Sequence, residues 1–358
     1  MGAGASLANA QHFRPERNQR SHPPLDTTFF EKVYALDAQL EPSLRQYVRR
    51  LIGADPSPRT LDALRMEEFF KDIYYDFRRS RSAVERHAYI ALVRLYTRVL
   101  RETTNWLCAD GRQGGPVGRL ISAASEQAAV VDIVTFNHDL VIENEIFKRA
   151  RLRRRWCIER GYGGVAEGMT LLRSRTGTDF PALTSECAHT HPISVLKLHG
   201  SLNWVVRLQG VNPTVKQLLG EAKNQAVLLS RRREIIGRLR YTRRGAKGRS
   251  SWNTWPLIIP PVYAKEPFIS TVERAWDEAR EALATCDRVV FFGYSLPAAD
   301  IEAEKLFQRG VAANPNLEMV DVINRDPAAA SRYAALLRRK GLAWHPSPEL
   351  FLTADGFR

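Results

Sequence analysis

Four short runs of β-branched, aliphatic and aromatic residues, each stopping at a polar or glycine-bearing motif, constrain this chain more than any other feature. Val130 to Thr135 runs up to Asn137, Ile193 to Leu198 up to His199-Gly200, Val289 to Phe292 up to Gly293, and Leu317 to Ile323 up to Asn324. The first, third and fourth lead into helical periodicity, at Leu140 to Ala150, Ala298 to Ala312 and Ala328 to Arg339. Strands that alternate with helical segments predict an α/β fold with a mostly parallel, doubly wound sheet, because parallel neighbours need a long crossover that a helix supplies. In such a sheet ligands bind at the carboxyl ends of the strands, where helix N-termini and loop amides converge. All four motifs fall at such ends.

Two further stretches read as additions to that plan. From Thr60 to Leu107 the periodicity is helical, with Leu64, Phe69 and Ile73 on one face, then Val84, Ala88, Leu92, Leu95, Val99 and Trp106 on the next. This predicts a helical layer or subdomain within residues 55–110. Residues 205–255 read as an insertion of weak periodicity, and Gly245, Gly248 and Ser250 predict a mobile loop there.

The net charge of +14 is unevenly placed. Nine basic residues against one acid, Glu234, lie between Arg231 and Arg249, and a second cluster runs Lys148, Arg149, Arg151, Arg153, Arg154, Arg155. Each is read either as a solvated arginine-rich face or as a docking surface for an anionic partner, protein or nucleic acid. Neither interleaves aromatics as a base-stacking platform does. With 44% hydrophobic residues in 358 the chain has enough for a sizeable core. No apolar run reaches the roughly 18 residues that suggest a membrane span, and no signal pattern opens the chain, so the expectation is a cytoplasmic protein without a membrane partner. The four cysteines, Cys108, Cys157, Cys187 and Cys286, form no C-x-x-C pair and are expected to be free thiols.

The chemistry-bearing residues follow from the strand ends. Gly2-Ala3-Gly4-Ala5-Ser6 has the spacing of a glycine turn that brings backbone N–H groups to a pyrophosphate. A complete dinucleotide fingerprint also has a strand ahead of that turn and a third glycine after it. Neither is present, and a start codon placed too far downstream would account for the strand. Asn137 stands at the exit of the first run, where an amide can hold a ribose hydroxyl or a water, and Asp139 is either a helix cap or a catalytic group. His199, followed by Gly200, is the candidate general base. Gly293 and Ser295 can line a phosphate or ribose with Leu296 packed inward, and Asn324 stands where nucleotide-binding α/β folds hold the adenosine end. Cys187, His189 and His191 alternate as three metal ligands would, but the fourth ligand is missing and no metal site is expected.

Together these motifs resemble the sirtuin, or silent-information-regulator, superfamily. Gly-Ala-Gly-x-Ser, the strand end Thr135 to Asp139, Leu198-His199-Gly200, Gly293-x-Ser295-Leu296 and Ile323-Asn324-Arg325 occur in its order and span nearly the whole chain. Phe-Asn-His-Asp, Lys-Leu-His-Gly-Ser-Leu-Asn-Trp, Leu-Ile-Ile-Pro-Pro (Leu257 to Pro261) and Gly-Tyr-Ser-Leu-Pro-x-x-Asp are similar to the bacterial sirtuin-like proteins of antiphage defence. The resemblance implies one Rossmann-like NAD-binding domain over 1–358. It also implies phosphate contacts from Gly2, Ala3, Gly4 and Ser6, a nicotinamide ribose placed by Asn137 and Asp139, His199 as the catalytic histidine, and the adenosine half on Gly293, Ser295 and Asn324. The four-cysteine zinc module of deacetylating sirtuins is missing, since residues 200–285 hold no cysteine, and their Ile-Pro-Asp-Phe-Arg segment is reduced to Phe13-Arg14. Water is then the expected acceptor. The implied function is NAD hydrolysis by a regulated defence effector acting in an oligomer or complex with a protein or nucleic-acid-linked activator. The alternatives are an NAD-dependent deacylase and a non-catalytic NAD or ADP-ribose-binding assembly module.

Overall fold

The computed structural model describes residues 1–14, 21–61, 64–172, 179–181, 192–222, 226–236, 240–245, 248–259, 266–297, 300–338 and 342–353. Helix α1 (Ala3–Phe13) opens the chain, and α2 (Phe29–Ala35), α3 (Pro42–Ile52), α4 (Met66–Ser80) and α5 (Ala83–Thr104) build a helical layer. Local signals set their ends: Pro42 opens α3, Gly53 closes it with a φ of 69°, and the Ser82 hydroxyl accepts from the Glu85 N–H at the start of α5. Phe69, Ile73 and Phe77 recur at helical spacing along α4 and are buried, whereas Val84, read as a core position of α5, is 44% exposed. The layer begins at Phe29, earlier than the periodicity suggested, because edge-on aromatic packing such as Phe30 on Phe69 ties α2 to α4.

After α6 (Pro116–Gln127) the predicted strands appear. They are β1 (Val131–Thr135), followed by α7 (Val141–Lys148), then the short β2 (Thr170–Leu172) and β3 (Ile193–Lys197). Next come β4 (Gly200–Leu208), β5 (Val227–Ser230), β6 (Arg240–Gly245), β7 (Gly248–Ile258) and α8 (Glu266–Thr285). The chain continues with β8 (Arg288–Phe292), α9 (Ile301–Ala312), β9 (Met319–Ile323), α10 (Pro327–Leu337) and β10 (Ala343–His345). β1 and β3 pair in parallel from Val131 opposite Ile193 to Thr135 opposite Lys197. β8, β9 and β10 form a second parallel sheet with β9 in the middle. The fold is therefore α/β with parallel strands carrying the motifs.

The stretch read as a loop-like insertion is instead a sheet. β2, β5, β4, β7 and β6 lie side by side in that order, and β6 and β7 form an antiparallel hairpin from Arg240 opposite Asn253 to Gly245 opposite Gly248. Backbone pairing holds this region together where side-chain periodicity is weak: Gly245 and Gly248 pair across the hairpin, and residues 246–247 between them lie outside the described residues. The basic clusters also differ from a uniformly solvated face. Lys148 and Arg149 converge on the buried Glu145 carboxylate at 3.0 and 2.8 Å, and Arg233 lies 3.9 Å over the Phe147 ring. Cys187, His189 and His191 lie outside the described residues. No helix among the described residues is long and apolar enough to cross a membrane.

Candidate active site

The carboxyl ends of β1, β3, β8 and β9 open on one cleft of about 1270 Å³, closed on its far side by the helical layer through residues such as Asp26, Met66 and Tyr96. Asn137, Asp139 and His199 all line it, as do Ala3, Gly4, Ser6, Gly293, Ser295 and Asn324. Gly2 lies just behind its wall, buried at the N-cap of α1. The volume exceeds the roughly 300–1,000 Å³ of ordinary small-molecule sites.

At the exit of β1 the peptide chain turns into α7 through Asp139, whose Oδ1 accepts from the Val141 N–H at 3.0 Å. Asp139 thus holds the first N–H of α7 from one residue ahead of the N-cap, Leu140. Its Oδ2 accepts from the Ser6 hydroxyl at 2.9 Å, and the Asn137 amide donates to that same hydroxyl at 3.0 Å. The three side chains form one relay that pins the first turn of α1 to the end of β1. Ser6 is buried, and its hydroxyl joins this relay. Burial pushes the Asp139 carboxyl above its usual range, and the Lys197 ammonium, the Val141 N–H and the Ser6 hydroxyl pull it back.

Lys197, the last residue of β3, runs beneath the site. Its ammonium donates to the Asp139 carbonyl oxygen and to Glu143 Oε1 at 2.9 Å, and both side chains are almost wholly buried. Tyr162 donates to the same carboxylate at 2.9 Å, Asn203 to Tyr162 at 2.9 Å, and Ser201 to Asn203 at 2.6 Å. Such a network fixes the floor at the cost of desolvating a charge pair.

His199 sits where β3 turns into β4. Its carbonyl accepts from the Ile259 N–H at 2.8 Å, and its ring lies edge-on to Phe136 at 5.1 Å and 6.2 Å from His138. Asp300 Oδ2 stands 3.7 Å from His199 Nε2, and Tyr294 donates to that oxygen at 2.7 Å. Tyr294 also stacks on Phe136, centroids 4.5 Å apart at 17°, which joins the β1 and β8 exits. Asp300, Tyr294, Phe136 and the Lys197–Glu143 pair were not singled out as site residues from sequence. For Asp300 the signal was present in the run Gly293-Tyr294-Ser295-Leu296-Pro297-x-x-Asp300, where it reads as the cap of α9, and it does accept from the Ala303 N–H at 3.4 Å.

The glycines are required for a different reason than ligand approach alone. A Cβ on Gly4 would stand 2.8 Å from the Gly293 oxygen, and one on Gly293, whose φ is 62°, would stand 2.1 Å from the Ala5 nitrogen. The two glycine turns pack backbone to backbone, with the Gly4 N–H donating to the Gly293 oxygen at 2.9 Å and the Gly2 N–H to the Phe292 oxygen at 3.0 Å. An anion at this corner therefore depends on the N-terminal dipole of α1, which has no acidic residue in its first turn, more than on those two amides. Gly200 likewise faces protein, since its Cβ would meet the Leu257 oxygen at 2.3 Å. Changing Gly293 to alanine is expected to wedge the turns apart, destabilising the protein by about 1–3 kcal/mol, to be read from thermal melts without ligand. An unchanged melt would contradict this packing.

No protein family matches the chain, and no curated protein matches it either. At the end assigned to adenosine, Asn324 Nδ2 donates to the Tyr294 oxygen at 3.4 Å, and Arg332 donates to the Ser295 oxygen at 2.9 Å. Leu296 is buried as expected and holds a φ of 52°, strain placed at the cleft wall.

Proposed function

We propose that this chain hydrolyses NAD to nicotinamide and ADP-ribose in the cleft at the carboxyl ends of its parallel strands. The observation that carries the reading is the convergence of Asn137, Asp139 and the His199–Asp300 pair on a single cleft beside the N-terminus of α1. Supporting it, the motif resemblance implies a Rossmann-like chain, in which the two parallel sheets would be halves of one doubly wound sheet and Asn324 would lie beside the adenosine.

The chemistry suits these groups. In NAD the ribose carbon is bonded to a cationic pyridinium nitrogen, which takes the bonding electron pair and leaves as neutral nicotinamide without a general acid. Positive charge grows on the ribose, a problem glycosidases meet with carboxylates. Asn137 orients a ribose hydroxyl or the incoming water, and Asp139 supplies nearby negative charge. His199 takes the proton from the water as the new carbon–oxygen bond forms, and Asp300 stabilises the resulting imidazolium. An unregulated enzyme of this kind would exhaust the NAD of its host, so the reading includes an activating partner and a role as a defence effector.

Chromatography of NAD incubated with the purified protein, with and without an acylated peptide, tests the reading. The expected products are nicotinamide and ADP-ribose in the absence of peptide. Nicotinamide release only with the peptide would make the chain a deacylase, and nucleotide binding without turnover would make it an assembly module; either result overturns hydrolysis.

A further inference from the structure

Two arginine-rich segments that are distant in sequence meet on one face of the folded chain. Arg153 belongs to the helical turn Ala150–Arg154 that follows α7, and Arg233 lies just beyond β5. Both bring a guanidinium over the Phe147 ring, at 5.3 and 3.9 Å from its centroid. Phe147 lies edge-on to Phe180, centroids 6.3 Å apart, and Arg231 donates to the Phe180 oxygen at 2.9 Å. Aromatic rings that the sequence does not interleave with its arginines are thus placed among them by the fold. Arg153 and Arg154 are exposed, and Phe147, Arg231 and Arg233 are half-buried.

Arg231 and Arg233 are held by neutral acceptors. Arg233 donates to Asn144 Oδ1 at 3.1 Å and to the Cys108 oxygen at 2.9 Å, and the acceptor of Arg231 is a peptide oxygen. Such bonds orient a guanidinium without cancelling its charge, unlike those of Arg149 on Glu145 and Arg151 on Glu126. Partial burial draws the Arg233 guanidinium below its ordinary pKa and nearby Arg153 adds to this, while Cys108 and the exposed Glu234 act the other way. Like charges gathered against one ring are relieved when an outside anion arrives.

We propose that the face around Phe147 binds a single nucleic acid strand through its phosphates, with Arg153, Arg154, Arg231 and Arg233 as the contacting cations. The planar fork of arginine meets a phosphate with two parallel hydrogen bonds. A strand carries one phosphate per nucleotide, so closely grouped arginines can each take one. A guanidinium plane also stacks on an unpaired base, a contact that carboxylates do not offer. That second contact favours a nucleic acid over an acidic protein segment. Recognition of this kind is independent of base sequence and weakens with salt. None of these residues lines the cleft, so the assignment stands apart from the reaction proposed there.

The test is fluorescence anisotropy of the full chain with a labelled single-stranded DNA of about 20 nucleotides, between about 50 and 200 mM salt. Binding that weakens steadily with salt is expected. The pair Arg153→Gln, Arg233→Gln should weaken it at least about tenfold at the low-salt end and reduce the magnitude of the salt slope by about 2. Arg153→Gln with Arg154→Gln, both exposed, serves in case the loss of Arg233 unfolds the chain, and thermal melts check folding. The control Arg280→Gln with Arg309→Gln removes the same charge from exposed positions on α8 and α9 and should leave the affinity within about twofold. Absence of binding at low salt, or equal weakening by the control pair, would overturn the site. Polyglutamate that displaces the probe as effectively as unlabelled DNA would assign the face to an acidic protein and overturn the nucleic-acid reading.

Discussion

Alanine at His199 is expected to lower the kcat for NAD hydrolysis by about 10²–10⁴-fold, the usual contribution of a positioned general base. KM should change little, because in the proposed mechanism the imidazole acts on the water and not on the nucleotide. The fold should survive: the His199 backbone bond to Ile259 does not involve the side chain, and its ring packs at the cleft rim among Phe136, His138 and Trp276. Alanine at Asn137 is expected to cost about 10²–10³-fold through lost orientation of ribose or water, again in kcat. The Ser6–Asp139 bond remains to hold α1 against β1 in that variant. Fluorogenic NAD turnover by the two variants checks both values, and undiminished turnover would remove these residues from the mechanism.

The second large effect concerns stability. Methionine at Lys197 leaves the Glu143 carboxylate buried without its ammonium, with the Tyr162 hydroxyl still donating to Oε1. Removing one member of such a pair costs about 3–5 kcal/mol, or about 6–10 °C in thermal midpoint for a chain of this size. The double variant Lys197→Met, Glu143→Gln should recover most of the loss, because no uncompensated charge is left. Thermal melts of the two singles and the double close the cycle. A double variant no more stable than Lys197→Met alone would show that the ammonium acts chiefly through the Asp139 carbonyl.

The strands that carry the motifs were legible because each is a compact apolar run closed by a polar or glycine residue; β1 and β8 lie within one residue of the runs read for them. Asn137, Asp139 and His199 could be picked out for the same reason, since a strand end fixes where the next side chain goes. The β6–β7 hairpin was hidden because its residues are arginines, serines and glycines rather than alternating apolar positions, and its regularity lies in backbone pairing. The floor of the site was hidden differently. Lys197 and Glu143 are 54 residues apart, and nothing local in either segment announces a buried ion pair. The glycines were recognised as necessary, but only the fold shows that Gly4 and Gly293 need each other's space.

The central claim is that the nicotinamide ribose lies between Asn137 and His199. A structure of the complex with a non-hydrolysable NAD analogue measures this directly. A ribose hydroxyl or the attacking water is expected within about 2.6–3.2 Å of the Asn137 amide and of the His199 imidazole, with the diphosphate near the N-terminus of α1. An analogue bound outside this cleft, or bound with its nicotinamide end directed away from both side chains, would contradict it.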